Sequence, residues 1–165
     1  MKNILLLVLF GILFSFTSAF SQERTGKIGL STNVQELQFD LIVPIWITQN
    51  ISINPSFGFL GATKQAIDIS LGLAIRQYLS EDKFSPYLGL RGAGFFLKPN
   101  KGDNSTDFLA GLFLGGEYFI DSRFSVGVEG QINATFSDKY SNRFGNPDGI
   151  NFNTATALYA TFYFK

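Results

Sequence analysis

The sequence contains neither cysteine nor histidine in 165 residues. Without cysteine the chain forms no disulfide, binds no metal through thiolates, offers no thiol nucleophile and carries no lipid on an N-terminal cysteine. Without histidine it cannot assemble the Ser–His or Asp–His arrangements used in nucleophilic catalysis. The two absences exclude thiol chemistry and histidine-dependent catalysis, and we expect no enzyme activity.

Net charge is absent as well, because 13 Lys and Arg balance 13 Asp and Glu. The chain therefore has no basic field that would attract nucleic acid and no acidic tail. Its length allows one domain with a sizeable core. What it has in abundance is phenylalanine and glycine, 19 and 17 residues respectively.

The first residues have the three-part layout of a secretory signal peptide. A lysine at position 2 precedes an apolar run at 4–16, and small residues follow before Gln22, with cleavage after Ala19 as a second choice. A run of about thirteen residues at 1.5 Å each is too short to cross about 30 Å of hydrocarbon. We expect a signal peptide at 1–21 and one exported domain at 22–165.

The exported part alternates between bulky apolar and small or polar residues. In "AIDISLGLAIRQYLS" (residues 66–80), Ile67, Leu71 and Ile75 fall on one row, and Asp68 and Arg76 on the other. A period of two predicts a β-strand, because successive side chains point to opposite faces. The pattern recurs in eight segments, approximately 26–35, 36–47, 51–61, 65–79, 85–98, 106–120, 124–137 and 150–164.

The connections between these segments differ in length. Short polar turns stand at 48–50, 80–83 and 121–123. They alternate with connections at 61–65, 98–105 and 138–149, the last two clearly longer. Short turns on one side and looser connections on the other are typical of an up-and-down barrel in an outer membrane.

Six charged residues of the strands fall on the row that is rich in Gly, Ala, Ser and Asn. They are Asp40, Asp68, Arg76, Arg91, Glu117 and Glu129. If the bulky row faces lipid, a charge there would cost about 2–4 kcal/mol at the bilayer midplane. The small polar row would then fill the lumen, which eight strands leave barely wide enough for side chains. We therefore predict an all-β, eight-stranded antiparallel transmembrane barrel, closed because a free strand edge cannot be satisfied in hydrocarbon.

Two large aromatic residues are exceptions to the bulky row. The phasing of the strands points Trp46 and Tyr78 into the lumen. A bulge, or a place in an interfacial aromatic girdle, would turn them outward instead.

With these features, residues 22–165 resemble the small eight-stranded outer-membrane β-barrels of the OmpA/OmpX type from Gram-negative bacteria. The aromatic final strand "LYATFYFK" adds to the resemblance, although Lys165 extends it by one polar residue. The resemblance implies an integral outer-membrane protein with both termini in the periplasm and lipid around it. It also implies that the barrel insertion machinery reads Phe162 and Phe164 as an insertion signal.

Two hypotheses concern the polar residues. Opposite charges at matched depth, Arg91 with Glu129 and Arg76 with Glu117, would plug the lumen; the rival is a polar ion pathway.

The loop "KPNKGDNSTD" contains Asp103 and Asp107 but lacks the spacing of a calcium site, so we expect a solvated loop, no metal and no cofactor.

The connection at 138–149 carries residues suited to contact with an envelope protein partner. Tyr140, Arg143 and Phe144 lie on the expected exterior, where aromatic and arginine side chains often anchor partners. The alternative is a plain turn built on "NPDG".

Three functions remain open at this point. The first is a non-enzymatic outer-membrane barrel, structural or surface-binding through its loops. The second is a small channel or an accessory subunit of an envelope assembly. The third is a soluble secreted barrel that carries a lipid in its interior.

Overall fold

A computed structural model describes residues 23–35, 38–63 and 66–164 of the chain. The expected signal peptide at 1–21 and the last residue lie outside the described residues. Every regular element in the described ranges is a β-strand. The strands are β1 (Ile28–Gln35), β2 (Gln38–Ile42), β3 (Ile45–Trp46), β4 (Ile51–Thr63), β5 (Ala66–Tyr78), β6 (Phe84–Pro99), β7 (Ser105–Phe119), β8 (Phe124–Phe136) and β9 (Ile150–Phe164). The part of the chain that the structure describes holds no helix long and apolar enough to span a membrane.

The strands form one closed antiparallel sheet. β2 and β3 each pair with β1 and β4, the later strands pair in chain order, and β9 returns to β1 with Ile28 opposite Phe164 and Val34 opposite Leu158. Because β2 and β3 are two segments of one strand, the closed sheet is an eight-stranded up-and-down barrel. The predicted fold is confirmed, with strand bounds within a few residues of those expected.

The interruption between β2 and β3 comes from Pro44 within the predicted strand at 36–47. Proline has no N–H to donate to the ladder. Its carbonyl still accepts from the Gly29 N–H at 2.8 Å, and the Val43 N–H donates to the Pro55 carbonyl at 2.9 Å. The register with both neighbouring strands is the same on either side. The proline thus removes one ladder bond without shifting the sheet.

Exposure of the side chains is inverted relative to a soluble protein. Leu71, Leu112 and Val128 lie on the outer surface with 52, 60 and 48 % of their area exposed. Ser125 and Glu117, on the other row, are 0 % exposed. The bulky row is therefore the outside of the barrel and the charged row is its interior, as the alternation predicts.

The two ends of the barrel carry different connections. At one end, called the turn end, stand the turns 47–50, 79–83 and 120–123 beside Ile28 and Phe164. At the other, called the loop end, stand the connections 100–104 and 137–149. The expected connection at 61–65 is wrong in length, because pairing between β4 and β5 continues through an irregularity to Thr63 opposite Ala66. The longest described connection of the loop end is therefore 137–149.

The turn half of the lumen is filled by aromatic rings. Trp46 and Tyr78 point inward, each 2 % exposed, as the phasing predicts. They pack with further rings on the inward row, namely Tyr87, Phe113, Phe119, Tyr159 and Tyr163. The ring centroids of Trp46 and Tyr78 are 4.5 Å apart. A packed aromatic core therefore occupies one end of the barrel.

Close packing of these rings depends on glycine in the facing wall, which gives a test. A Cβ on Gly89 would strike the Phe113 ring and the Ile75 carbonyl, whereas a Cβ on the outward Gly92 would find its nearest neighbour 3.7 Å away. We expect Gly89→Ala to lower the free energy of unfolding by about 1–3 kcal/mol, because overpacking forces a shift of ring or backbone. Gly92→Ala should change it little. Urea unfolding followed by electrophoretic mobility measures both, and equal losses would contradict inward packing at Gly89.

Candidate functional site

The lumen contains a series of polar contacts along the barrel axis, and the first lies at the turn end. Arg24, in the segment before β1, enters the mouth and is 1 % exposed. Its guanidinium carbon lies over the rings of Trp46, Tyr78 and Phe119, at 5.0, 5.6 and 4.4 Å from their centroids. Cation–π attraction of this kind is strongest where water is excluded. No sequence pattern marks Arg24, because it precedes the strands and follows no period.

Hydrogen bonds fix Arg24 in the mouth. Nη1 donates to the Ser80 carbonyl at 3.1 Å, and Nη2 donates to the Asp82 carbonyl at 3.1 Å and to Ser85 Oγ at 2.7 Å. Burial lowers the pKa of the Arg24 guanidinium, and the nearby Tyr78 and Glu117 oppose that shift. A guanidinium remains charged at neutral pH despite such a shift. The segment before β1 is therefore bound inside the turn end.

Glu117 lies next along the axis and is held by hydroxyl groups. It accepts from Tyr78 Oη at 2.6 Å, from Tyr163 Oη at 2.8 Å and from Ser125 Oγ at 2.5 Å. Hydrogen bonds to an ionised acceptor are the strong ones, so three of them compensate much of the cost of burial.

An ion pair between Arg76 and Glu129 crosses the middle of the lumen at 3.2 Å. The Arg76 guanidinium lies 4.9 and 4.5 Å from the ring centroids of Tyr87 and Tyr159. Glu129 also accepts from Tyr87 Oη at 3.1 Å and from Gln131 Nε2 at 2.8 Å. Both side chains are at most 5 % exposed. The two charges are therefore stabilised by these contacts and not by solvent.

The observed partners differ from those expected by depth. Arg76 pairs with Glu129 rather than with Glu117, and the Arg91 guanidinium donates to Gln131 Oε1. Closing a barrel requires the strands to tilt and stagger, so equal positions along two strands do not give equal depth. The tyrosine hydroxyls take the place of an arginine at Glu117.

A small polar cavity lies beside the central pair. It is lined in part by Asn33, Asp40, Asn54, Arg91 and Gln131. Asp40 accepts from Ser70 Oγ at 3.3 Å. Asn33 Oδ1 is one of the buried polar atoms of the described residues that have no hydrogen-bond partner. The cavity is therefore suited to holding water, which would donate to this oxygen.

At the loop end, the connection 137–149 folds inward across the mouth. Arg143 forms an ion pair with Asp68 on β5, the strand on the far side of the barrel, and its Nε lies 3.6 Å from Asp107 Oδ2. The Arg143 guanidinium lies 4.9 Å from the Phe95 ring centroid, and the Phe144 ring meets the same ring edge-on at 5.6 Å. We call the connection 137–149 the cap.

Asp107 holds the cap in place. It is 1 % exposed and accepts from the Asp138 N–H at 2.8 Å and from Ser141 Oγ at 2.6 Å, in addition to its approach to Arg143. The expectation of a solvated loop is wrong for Asp107, because that residue lies on the inward row of β7, next after Ser105. Asp103 is exposed, as expected.

Loss of the Asp107 charge should release the cap. In the wild type we expect trypsin to cut after the exposed Lys139 and to spare Arg143. Asp107→Asn removes the carboxylate that three groups of the cap approach, and charged hydrogen bonds are worth about 1.5–3 kcal/mol each. We expect cleavage after Arg143 to become at least about tenfold faster, since about 1.4 kcal/mol is a factor of ten. Asp103→Asn is the matched control, and the same acceleration in both variants would show that Asp107 does not hold the cap.

Of the three residues expected to contact a partner, Tyr140 is on the surface. It is 51 % exposed, and Lys139 Nζ lies 4.6 Å from its ring centroid. Arg143 and Phe144 are half-buried in the mouth instead. The inward Asp68 and Asp107 were the available signal, because buried carboxylates need a cation and the cap supplies an arginine.

The residues of the expected insertion signal lie on the outer surface of β9. Phe162 and Phe164 are 47 and 48 % exposed, and their ring centroids are 5.5 Å apart. Their reading by insertion machinery stays a prediction.

Comparison with known proteins gives matches of structure only. No protein-family model matches the chain, and no curated protein matches it by sequence. The N-terminal β-barrel domain of OprF from Pseudomonas aeruginosa superposes with a TM-score of 0.60 at 11 % identity, covering 87 % of this chain and 99 % of that one. Neisserial surface protein A (NspA) gives a TM-score of 0.52 at 15 % identity, covering 84 % and 93 %. The chain has a small outer-membrane β-barrel fold.

This outer-membrane barrel fold is consistent with the OmpA/OmpX type that the sequence resembles. In the described ranges of the barrel, no group of three or more Asp and Glu side chains is placed to hold a metal ion. In the lumen, arginine side chains contact carboxylates, aromatic rings and hydroxyl groups. Such contacts are suited to holding the strands together.

Proposed function

We propose that this chain is an integral outer-membrane barrel without enzymatic activity, blocked by its own side chains, that serves a structural or surface-binding role. The inverted exposure carries the proposal: bulky apolar side chains such as Leu112 cover the outside, and Glu117 and Glu129 are buried inside. Such a surface is stable against hydrocarbon and unfavourable in water. Outer-membrane lipid is thus the first partner.

The lumen contacts support a plug. Arg24 and the aromatic core occupy the turn end, the Arg76–Glu129 pair crosses the middle, and Arg143 spans the loop end. A conducting path would require these contacts to break, leaving buried charges uncompensated.

The two other functions predict different interiors. A small channel or accessory subunit would use the polar cavity beside Arg91 as part of a path. A soluble lipid carrier would need an apolar interior, whereas the interior here is polar at mid-depth and packed with rings at the turn end. The observations therefore favour the plugged membrane barrel.

For surface binding, the exposed part of the cap is the available site. Tyr140 and Lys139 project from it, while Arg143 and Phe144 hold it to the barrel. We propose that an envelope protein partner would contact Tyr140, that the termini lie in the periplasm, and that the insertion machinery recognises Phe162 and Phe164.

Site-directed spin labelling tests the membrane placement, because any cysteine introduced into this chain is the only one. Labels at Leu71 and Val128 should collide with oxygen dissolved in acyl chains, and a label at Ser70 should be shielded. The protein should also stay in the membrane after carbonate washing and shift its electrophoretic mobility on boiling. Water contact at Leu71 and Val128 would overturn the proposal.

Planar-bilayer recording tests the plug separately. Pure protein should give no steady single-channel currents. Steady currents from the wild type would favour the channel.

A further inference from the structure

The contacts of Arg24 at the turn end form a site with defined walls. Its faces are the rings of Trp46, Tyr78 and Phe119, and its rim is made of the Ser80 and Asp82 carbonyls and Ser85 Oγ. We call these six groups the cage.

The cage matches the shape of a guanidinium group. Three rings surround the cation, with centroids 4.4–5.6 Å from its carbon, and the acceptors meet its edge, where Nη1 and Nη2 each donate. An ammonium group is a compact, strongly hydrated point charge and presents no flat fork to such a rim. The geometry therefore selects guanidinium over ammonium.

The electric field of the cage favours a cation. Tyr78 Oη donates to Glu117 at 2.6 Å, so a buried carboxyl group stands directly behind one ring of the cage. Tyr163, which also donates to Glu117, has its ring centroid 6.3 Å from that of Trp46. A negative charge behind the rings strengthens binding of a cation in front of them.

The barrel builds the cage without help from Arg24. Trp46 lies on β3, Tyr78 on β5, Ser85 on β6 and Phe119 on β7, each fixed by strand pairing. The Trp46 ring packs against Tyr78 at 4.5 Å and Phe119 at 6.4 Å between centroids. The walls would therefore remain in place if the arginine were removed.

We propose that the turn end of the barrel is a guanidinium-binding site that Arg24 fills in cis, and that it accepts a free guanidinium ion when Arg24 is absent. The site thereby selects arginine at the segment before β1 and fixes that segment in the mouth. The proposal depends neither on the membrane location nor on conductance, because it can be measured on folded protein in detergent.

Trp46 is the only tryptophan in the chain, so its fluorescence reports on the cage alone. In Arg24→Ala we expect Trp46 to lose its protection from acrylamide quenching. Methylguanidinium should restore the protection saturably, at a concentration at least about tenfold lower than methylammonium requires, because only the planar fork reaches both carbonyls and the rings. Wild type should not respond to either cation.

Two further variants sharpen the test. Arg123→Ala, which removes an exposed arginine from the neighbouring turn, should behave as wild type. Ser85→Ala added to Arg24→Ala should weaken the response to methylguanidinium, because one acceptor of the rim is lost. If Arg24→Ala does not fold, Arg24→Lys takes its place, with Trp46 partly unprotected and responsive to methylguanidinium.

Three results would overturn the proposal. The first is unchanged acrylamide protection of Trp46 in the Arg24 variant. The second is an equal response to methylammonium and methylguanidinium, which would indicate a general ionic effect. The third is an equal response in wild type, where the cage is occupied.

Discussion

Leu112→Arg is expected to lower the free energy of unfolding of the lipid-embedded barrel by about 2–4 kcal/mol, the cost of an arginine on the lipid face at the bilayer midplane. Leu112 lies midway along β7, 60 % exposed, with Leu90 and Ile132 opposite it on the neighbouring strands. No polar side chain of those two positions is available to pair with the introduced charge. Urea titration in lipid vesicles, followed by mobility on unboiled gels, measures the loss.

Tyr118→Arg on the same strand is the matched control. Tyr118 is outward and 45 % exposed, but it stands at the turn end beside Phe84. Near the interface the same charge costs only about 0–1 kcal/mol, because the side chain reaches water. Equal effects of the two variants would show that depth along β7 does not matter and that the bulky row does not face hydrocarbon. A soluble barrel would tolerate both.

The fold could be predicted because its two main signals are local. A period of two fixes which residues share a face, and the restriction of charge to one row shows which face is inside. These signals were sufficient to turn Trp46 and Tyr78 inward correctly. They also predict the strand boundaries closely, since turns such as 121–123 are marked by polar residues.

The site was less predictable, because its contacts join distant parts of the chain. The partner of Arg76 depends on the stagger between β5 and β8, which no single strand encodes. Tyr159 and Tyr163 point inward although the same strand carries aromatic residues on its outer row, so residue type did not distinguish the faces. Arg24 lies in a segment without periodicity, so no sequence pattern predicts where its side chain lies.

The cap illustrates the same limit. The run of polar residues before Asp107 favours a solvated loop, yet Asp107 occupies the next inward position after Ser105 on β7. The predicted strand at 106–120 contains it on the row of Glu117, so the period of two alone places it inside. Its partner Arg143 is 36 residues later along the chain, in a connection whose path is set by tertiary contacts.

The central ion pair gives the largest expected effect. Arg76→Met should lower the free energy of unfolding by about 3–5 kcal/mol, because it leaves Glu129 as a buried charge without its cation. Arg76 and Glu129 are 4 and 5 % exposed, so water cannot replace the lost partner without rearrangement. Tyr87 and Gln131 still donate to the carboxylate and prevent a larger loss.

The double variant Arg76→Met with Glu129→Gln distinguishes loss of the pair from loss of packing. Glutamine keeps an acceptor for Tyr87 Oη and removes the uncompensated charge, so the double variant should recover most of the stability lost in Arg76→Met. Coupling between neighbouring sites appears as non-additivity in a double-mutant cycle measured by urea unfolding. Arg123→Met, at an exposed position, should change stability by less than about 0.5 kcal/mol. Additive losses in the double variant would mean that Arg76 acts through its contacts with the Tyr87 and Tyr159 rings, and that the charge pair does not stabilise the closed lumen.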